Sequence, residues 1–261
     1  MLKKFFRRHC VVAKILPNFE AVLFIDADIG VVNPKRRIEE YMDSNFDVVF
    51  YDRFYNWEIT AGSYIVRNTS FAVKFLENFA KFETRLPESF HGTDNGGLHL
   101  YVAEVLYPSH PRIKKCEQVY QRSANYDDLF SFEACIRSIL GPKTDFDRIR
   151  IMHKGTGWSR DNWLTNSLWN AERDFMIHGW KTNQYLRTPM DPGIIESSRG
   201  AWYNPLVGPI MLEKCSPSNS SWDYDPRLIT PTSRIKKKLD DFEREIDKSQ
   251  ILSLARISKF L

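Results

Sequence analysis

The chain has 261 residues, 43% hydrophobic and 14% aromatic, enough for one substantial core or one domain with appendages. Its 37 basic against 33 acidic residues leave a formal charge of +4, too small and too scattered for a dedicated nucleic-acid binder. No run of about twenty apolar residues exists to span a membrane, and the basic N-terminus runs into His9, Lys14, Pro17 and Asn18 and does not read as a signal peptide.

Leu2–Leu16 reads as a helix with Phe5, Phe6, His9, Val12, Ala13 and Leu16 near helical spacing, ended by Pro17-Asn18. The apolar run Ala21–Ile25 follows, the pattern of a central strand buried on both faces. It leads directly into Asp26-Ala27-Asp28 and, after a short apolar step, into Asn33-Pro34. An Asp-x-Asp triplet alone is common on loops and at helix starts. At the carboxyl end of a buried strand, where open α/β sheets bind ligands, two hard oxygen donors suit a divalent cation that holds phosphate. A short polar helix is expected over Lys35–Met42, strands over Asp47–Tyr51 and Thr60–Arg67, and an aromatic loop between them. Ser70 is placed to cap a helix whose face carries Phe71, Phe75, Phe79, Phe82 and Leu86.

The segment His91–Gly97 opens a further helix with Leu98, Tyr101, Val102, Val105 and Leu106 facing inward. Residues 108–147 read as a mixture of short elements. Arg148–His153 alternates as a strand and runs into Lys154-Gly155-Thr156-Gly157-Trp158, and a helix is expected from about Asp161 through Trp163, Leu164, Leu168 and Phe175. Residues 188–231 form an irregular surface segment rich in Pro, Gly, Ser and aromatics, and Ser233–Ser249 is a charged helical appendage. Three regions result: 1–187, 188–231 and 232–261. Alternating strands and helices with polar residues at strand ends argue for an α/β fold.

Three polar groups stand at strand ends. The first is Asp26 with Asp28. The second is Asp94-Asn95, where Asp94 is equally a helix N-cap and a catalytic acid. The third is His153 with Lys154, Gly155 and Gly157, whose glycines free amide groups for phosphate oxygens. An imidazole beside two carboxylates suits manganese better than magnesium. His9, His110 and His178 stand in helical or loop contexts without partners and read as structural, while His91 and His99 stay undecided. Cys10, Cys116, Cys135 and Cys215 lack zinc spacing and allow two disulfides in any of three pairings; Asn68-Thr69-Ser70 and Asn219-Ser220-Ser221 are sequons.

Asp26-Ala27-Asp28 after an apolar strand, Ala61-Gly62-Ser63-Tyr64-Ile65-Val66-Arg67-Asn68-Thr69, the acidic Thr93-Asp94-Asn95 and the late His153-Lys154-Gly155 together resemble the Golgi galactosyl-, mannosyl- and xylosyltransferase family with the GT-A fold, and more closely a nematode-expanded branch of nucleotide-diphospho-sugar transferases. The resemblance covers roughly residues 21–180. It implies a mostly parallel α/β sheet lacking its N-terminal strands, because only residues 1–20 precede the Asp-x-Asp strand and the base-binding half of relatives lies upstream of it. It implies Asp28 as metal ligand, Asp26 on the metal or the nucleotide ribose, His153 completing the metal site, Lys154 on the diphosphate, and Asp94 and Asn95 near the donor sugar, with Asn95 in the place of the usual glutamine.

The same resemblance implies transfer of a hexose or pentose from a nucleotide-diphospho-sugar donor to a glycan or glycoprotein acceptor, with retention and with Mn2+ or Mg2+. It also implies the Golgi lumen and a full-length type II membrane protein, and weak or no activity for a chain without the base-binding half. Trp57, Trp158 and Trp163 offer apolar faces for an acceptor. Two rival expectations are a non-catalytic relative of the same fold, and a metal-dependent phosphohydrolase with Asp26 as nucleophile.

Overall fold

Phenylalanines at 71, 75, 79 and 82 share one helical face. In the computed structural model of the chain, which describes residues 4–181, 192–197, 200–203 and 224–260, the last three of them are buried. Thr69, not Ser70, is the cap: its side chain accepts from the Ala72 amide at 3.2 Å, and Ser70 is the first helical residue. Burying Phe75, Phe79 and Phe82 contributes roughly 1.5–3 kcal/mol each.

In chain order the elements are α1 (Lys4–Ile15), β1 (Ala21–Ile25), β2 (Ile29–Val31), β3 (Val48–Tyr51), β4 (Ser63–Arg67), α2 (Ser70–Lys81), α3 (Thr93–Leu106), α4 (Arg112–Gln121), α5 (Tyr126–Leu140), β5 (Asp145–Phe146), β6 (Ile149–Met152), β7 (Ser159–Asp161), β8 (Met176–His178), α6 (Pro192–Ser197) and α7 (Thr232–Arg256). They fall into two units. The first comprises Met1–Asp26, Met42–Gly157 and Glu245–Leu261, and the second Ala27–Tyr41 and Trp158–Arg244.

The first unit holds a five-stranded sheet ordered β1-β4-β3-β6-β5. Only β3 and β6 pair in parallel; β1/β4, β3/β4 and β5/β6 are antiparallel. The expected mostly parallel sheet is thus corrected to a mixed one. The chain returns from β3 to β4 through a loop without a helix, which pairs neighbours antiparallel, whereas β3 and β6 are separated by four helices, a connection long enough for a parallel crossover. Nor is β1 central: among the described residues it pairs with β4 alone, its residues are mostly half-buried, and Ile25 is 38% exposed. The interior strands are β4, β3 and β6, and in β4 Tyr64, Ile65 and Val66 are buried. An apolar run reports what covers a strand's faces and not whether both its edges are paired.

Phe6, Val12 and Leu16 of α1 join Phe75, Leu76 and Phe79 of α2 in the main core. Residues 108–147 form two helices rather than short elements; α4 and α5 are bridged by the disulfide Cys116–Cys135, while Cys10 is a free thiol. Ile257 and Phe260 pack on this core, and Arg256 pairs with Asp127 at 2.7 Å.

The second unit holds a three-stranded sheet ordered β2-β8-β7, with β2/β8 antiparallel and β7/β8 parallel. The helix expected from Asp161 is a single 3-10 turn, Asn162–Thr165. Asn166 and Ser167 adopt left-handed φ of 51° and 60°, and the Thr165 hydroxyl donates to the Leu168 carbonyl at 2.6 Å, so the helix stops there. Buried Arg160 consolidates the turn, reaching both oxygens of Asp174 at 2.8 Å. The C-terminal helix is not an appendage: in this unit Ile235 and Leu239 are buried, and Phe242 meets Trp163 edge-on at 5.8 Å. The segment 188–231 lies largely outside the described residues; within it Pro192–Ser197 is helical, and Tyr203 and Leu228 are buried. No helix among the described residues is long and apolar enough to cross a membrane.

Candidate functional site

Asp28 precedes β2, and antiparallel pairing sets Ile29 opposite His178 at the end of β8. Parallel pairing then sets Asp161, at the end of β7, opposite His178 on its other side. Three polar side chains therefore line up at one end of a small sheet. His178 Nε2 lies 3.3 Å from Asp28 Oδ1, and His178 Nδ1 lies 3.1 Å from Asp161 Oδ1. Beyond His178 the chain turns around Asp28: Gly179, at φ +113°, and Trp180 both donate amides to the Asp28 carbonyl, at 2.8 and 3.0 Å. The Lys181 ammonium then reaches Asp28 Oδ2 at 3.0 Å. The His178 hydrogen bond, more than Lys181, holds the Asp28 carboxyl well below its usual range against the opposing effect of burial.

This donor set fits a divalent cation. Asp28 and His178 offer one ligand atom each, and 3.3 Å is near the roughly 3 Å between neighbouring ligands of an ion with bonds of about 2.1–2.2 Å. A carboxylate behind the second imidazole nitrogen is the support that metal-bound histidines ordinarily have, and buried Asp161 supplies it.

Asp26, one residue beyond Ala27, belongs to the first unit and has a different partner. Arg8 of α1 donates from Nη1 to Asp26 Oδ1 at 2.5 Å, and from Nε and Nη2 to Asp94 Oδ2 at 2.9 and 2.5 Å. His9 Nε2 adds a contact to the same Asp94 oxygen at 3.0 Å, and His9 Nδ1 meets the Tyr64 hydroxyl at 3.0 Å. Burial pushes His9 down and outweighs the pull of Asp94, so the neutral ring donates to Asp94 and accepts from Tyr64. Burial pushes Asp94 up, but His9 and Arg8 together outweigh it and leave the carboxyl below its usual range.

Asp94 is thus not an N-cap. Gly92 occupies that position with φ +61°, and Asp94 lies within the first turn with 1% exposure. The Ala-Gly segment has a specific place as well. A Cβ on Gly62 would sit 2.1 Å from Asp26 Oδ2, so only glycine leaves room for that carboxylate. Asn95 holds the segment, its Oδ1 accepting from the Ala61 amide at 3.1 Å.

His153, Lys154, Gly155, Gly157, His99 and Trp57 stand elsewhere in the first unit. His153 is exposed after β6, its Nδ1 3.3 Å from the carbonyl oxygen of Lys154. Lys154 Nζ donates to the Arg53 carbonyl at 2.7 Å, Gly155 has φ +72°, and Gly157 makes room for the Tyr51 side chain. His99 is a buried structural residue that accepts from the Ile59 amide at 3.0 Å, and burial lowers it to about 4. Trp57 and Trp158 are buried and offer no face to an acceptor.

Five residues escape the sequence reading: Arg8, His9, Asp161, His178 and Lys181. His9 and His178 have partners after all. The available signal for His178 is a short apolar run, Phe175-Met176-Ile177, ending in His-Gly and followed closely by Lys181, the same pattern that marks His153. Arg8 has no local signal, since its partners lie 18 and 86 residues away.

Residues 2–193 match the family described as "Protein of unknown function, DUF273", and the chain belongs to it. Neither the curated proteins nor the solved structures gave a match.

Proposed function

We propose that the protein is a metal-dependent glycosyltransferase, moving a hexose or pentose from a nucleotide-diphospho-sugar to a glycan or glycoprotein acceptor in the Golgi lumen, with retention, and that its GT-A-like site takes Mn2+ in preference to Mg2+. The observation that carries the reading is His178 held between Asp28 and Asp161. With Nδ1–H donating to Asp161, a cation at Nε2 would replace the hydrogen bond that His178 otherwise makes to Asp28, and Nε2 and Oδ1, 3.3 Å apart, would both face it. A cation held by Asp28 and His178 would supply charge compensation for a departing diphosphate.

The chain's own residues supply the rest. Asp28 and His178 would hold the cation, and Asp161 fixes the ring. Lys181, half exposed, exchanges its pairing with Asp28 for a phosphate oxygen once a cation neutralises that carboxylate.

Asp94 positions Arg8 and does not attack the sugar. Its Oδ2 already faces two guanidinium nitrogens and an imidazole, and the residue is 1% exposed, which makes it a poor nucleophile. This favours attack by the acceptor from the leaving-group face over a covalent intermediate. The same logic argues against a phosphohydrolase, because Asp26 is bound by Arg8 rather than available for attack. Calorimetric titration of the chain with Mn2+ and a panel of uridine and guanosine diphospho-sugars tests the reading. Donor binding that requires the metal supports it, and an absence of any metal-dependent binding defeats it.

A further inference from the structure

We infer that Asn68 is an N-glycosylation acceptor and that the chain folds in an oxidising secretory lumen. Asn68-Thr69-Ser70 has the acceptor pattern with no proline at its centre. It occupies the tight connection between β4 and α2, where two of its three residues face solvent. The Asn68 backbone is anchored, its amide donating to the Glu20 carbonyl at 2.8 Å. Its carboxamide is exposed and makes one long contact, Nδ2 to the Pro17 carbonyl at 3.3 Å, so a glycan there projects outward at the loss of one weak hydrogen bond. Thr69 spends its hydroxyl on the helix cap, while Ser70 is exposed.

The second observation is independent of the motif. Cys116 and Cys135 are buried on neighbouring helices and bonded to each other. Structural disulfides of this kind form and persist in oxidising compartments and are rare where glutathione keeps thiols reduced. N-linked transfer takes place in that same lumen. In the step itself, Asn68 Nδ2 forms a bond to the anomeric carbon of a lipid-diphosphate-linked oligosaccharide. The anomeric carbon–oxygen bond breaks, the lipid diphosphate leaves with the bonding pair, and the displaced Nδ2 proton passes to base. The inference does not rest on the reading of the Asp28 site.

The test expresses the full chain behind a cleavable leader in cells that N-glycosylate, alkylates free thiols before reduction, and maps the peptide carrying Asn68 by mass spectrometry before and after N-glycosidase treatment. The expected result is a glycan on Asn68, with Cys116 and Cys135 protected from alkylation. Asn68→Gln and Ser70→Ala should each lose it completely, and Ser70→Thr should keep it. Because transfer precedes folding, a variant that is retained in the cell still reports. An unmodified Asn68, or Cys116 and Cys135 carrying the alkyl label, would overturn the inference.

Discussion

The two carboxylates of one Asp-x-Asp triplet meet opposite environments. Asp26, in the first unit, faces a guanidinium that is itself shared with buried Asp94, and the contacts of Arg8 and His9 with these carboxylates each join a donor to an acceptor. Asp28, in the second unit, faces an imidazole that has a second carboxylate behind it. In the first arrangement one guanidinium serves both carboxylates and a neutral imidazole donates to one of them. In the second the Lys181 ammonium serves Asp28 alone, and the imidazole stands between two carboxylates. The motif therefore sets its two carboxylates against different partners, Asp26 against a guanidinium and Asp28 against an imidazole and an ammonium.

Removing charge from the second arrangement should have the largest effect. Asp28→Asn keeps the volume of the side chain but loses the charged ligand, and donor turnover measured with Mn2+ should fall on the order of a thousandfold. Undiminished turnover would mean the two aspartates do not differ in the way described. Breaking the first arrangement should show in stability as well as in rate. Arg8→Ala leaves Asp94 buried and without its guanidinium, which should cost about 3 kcal/mol in urea unfolding. Arg8→Lys should recover only part of that, because an ammonium cannot bridge both carboxylates as the fork does.

Legibility in the sequence followed the same division between near and distant partners. The phenylalanine face of α2, the strand β6 and the Asp-x-Asp and Ala-Gly segments could be read because their signals are periodic or local. Even so, the direct contact of Gly62 with Asp26 was visible only once β1 and β4 were paired. Strand order was not legible, since an apolar run does not name its neighbours, and β1 proved to be an edge. Two helices over 108–147 were missed although Ile113, Cys116, Val119 and Tyr120 keep helical spacing, because surrounding lysines and arginines dilute that stripe. His178 was passed over because its carboxylate partners are fixed by sheet register, one of them 150 residues back along the chain.

Smaller effects sharpen the comparison. Asp161→Asn should lower Mn2+ affinity by roughly ten- to a hundredfold without unfolding the chain, because the ring loses a carboxylate partner and keeps a neutral one. In the first unit, Glu133 is fully buried with neither carboxylate oxygen hydrogen-bonded, and burial, then Glu58, hold its carboxyl well above 4.5 against Arg53 and Lys154. The folded state binds that proton more tightly than the unfolded chain. Its contribution to stability is therefore complete below pH 4.5 and is lost as pH rises through the native value, at no more than about 1.4 kcal/mol per pH unit. Glu133→Gln should flatten this slope in chemical denaturation at several pH values; an unchanged slope would show that Glu133 is ionised in the native protein.

The most direct test of the cation's place is a Mn2+ titration, followed by water-proton relaxation, of the wild type, His178→Ala and His153→Ala. A cation site at Asp28 and His178 predicts that His178→Ala weakens binding at least tenfold while His153→Ala leaves it unchanged. Binding that survives loss of His178 and fails on loss of His153 would contradict it.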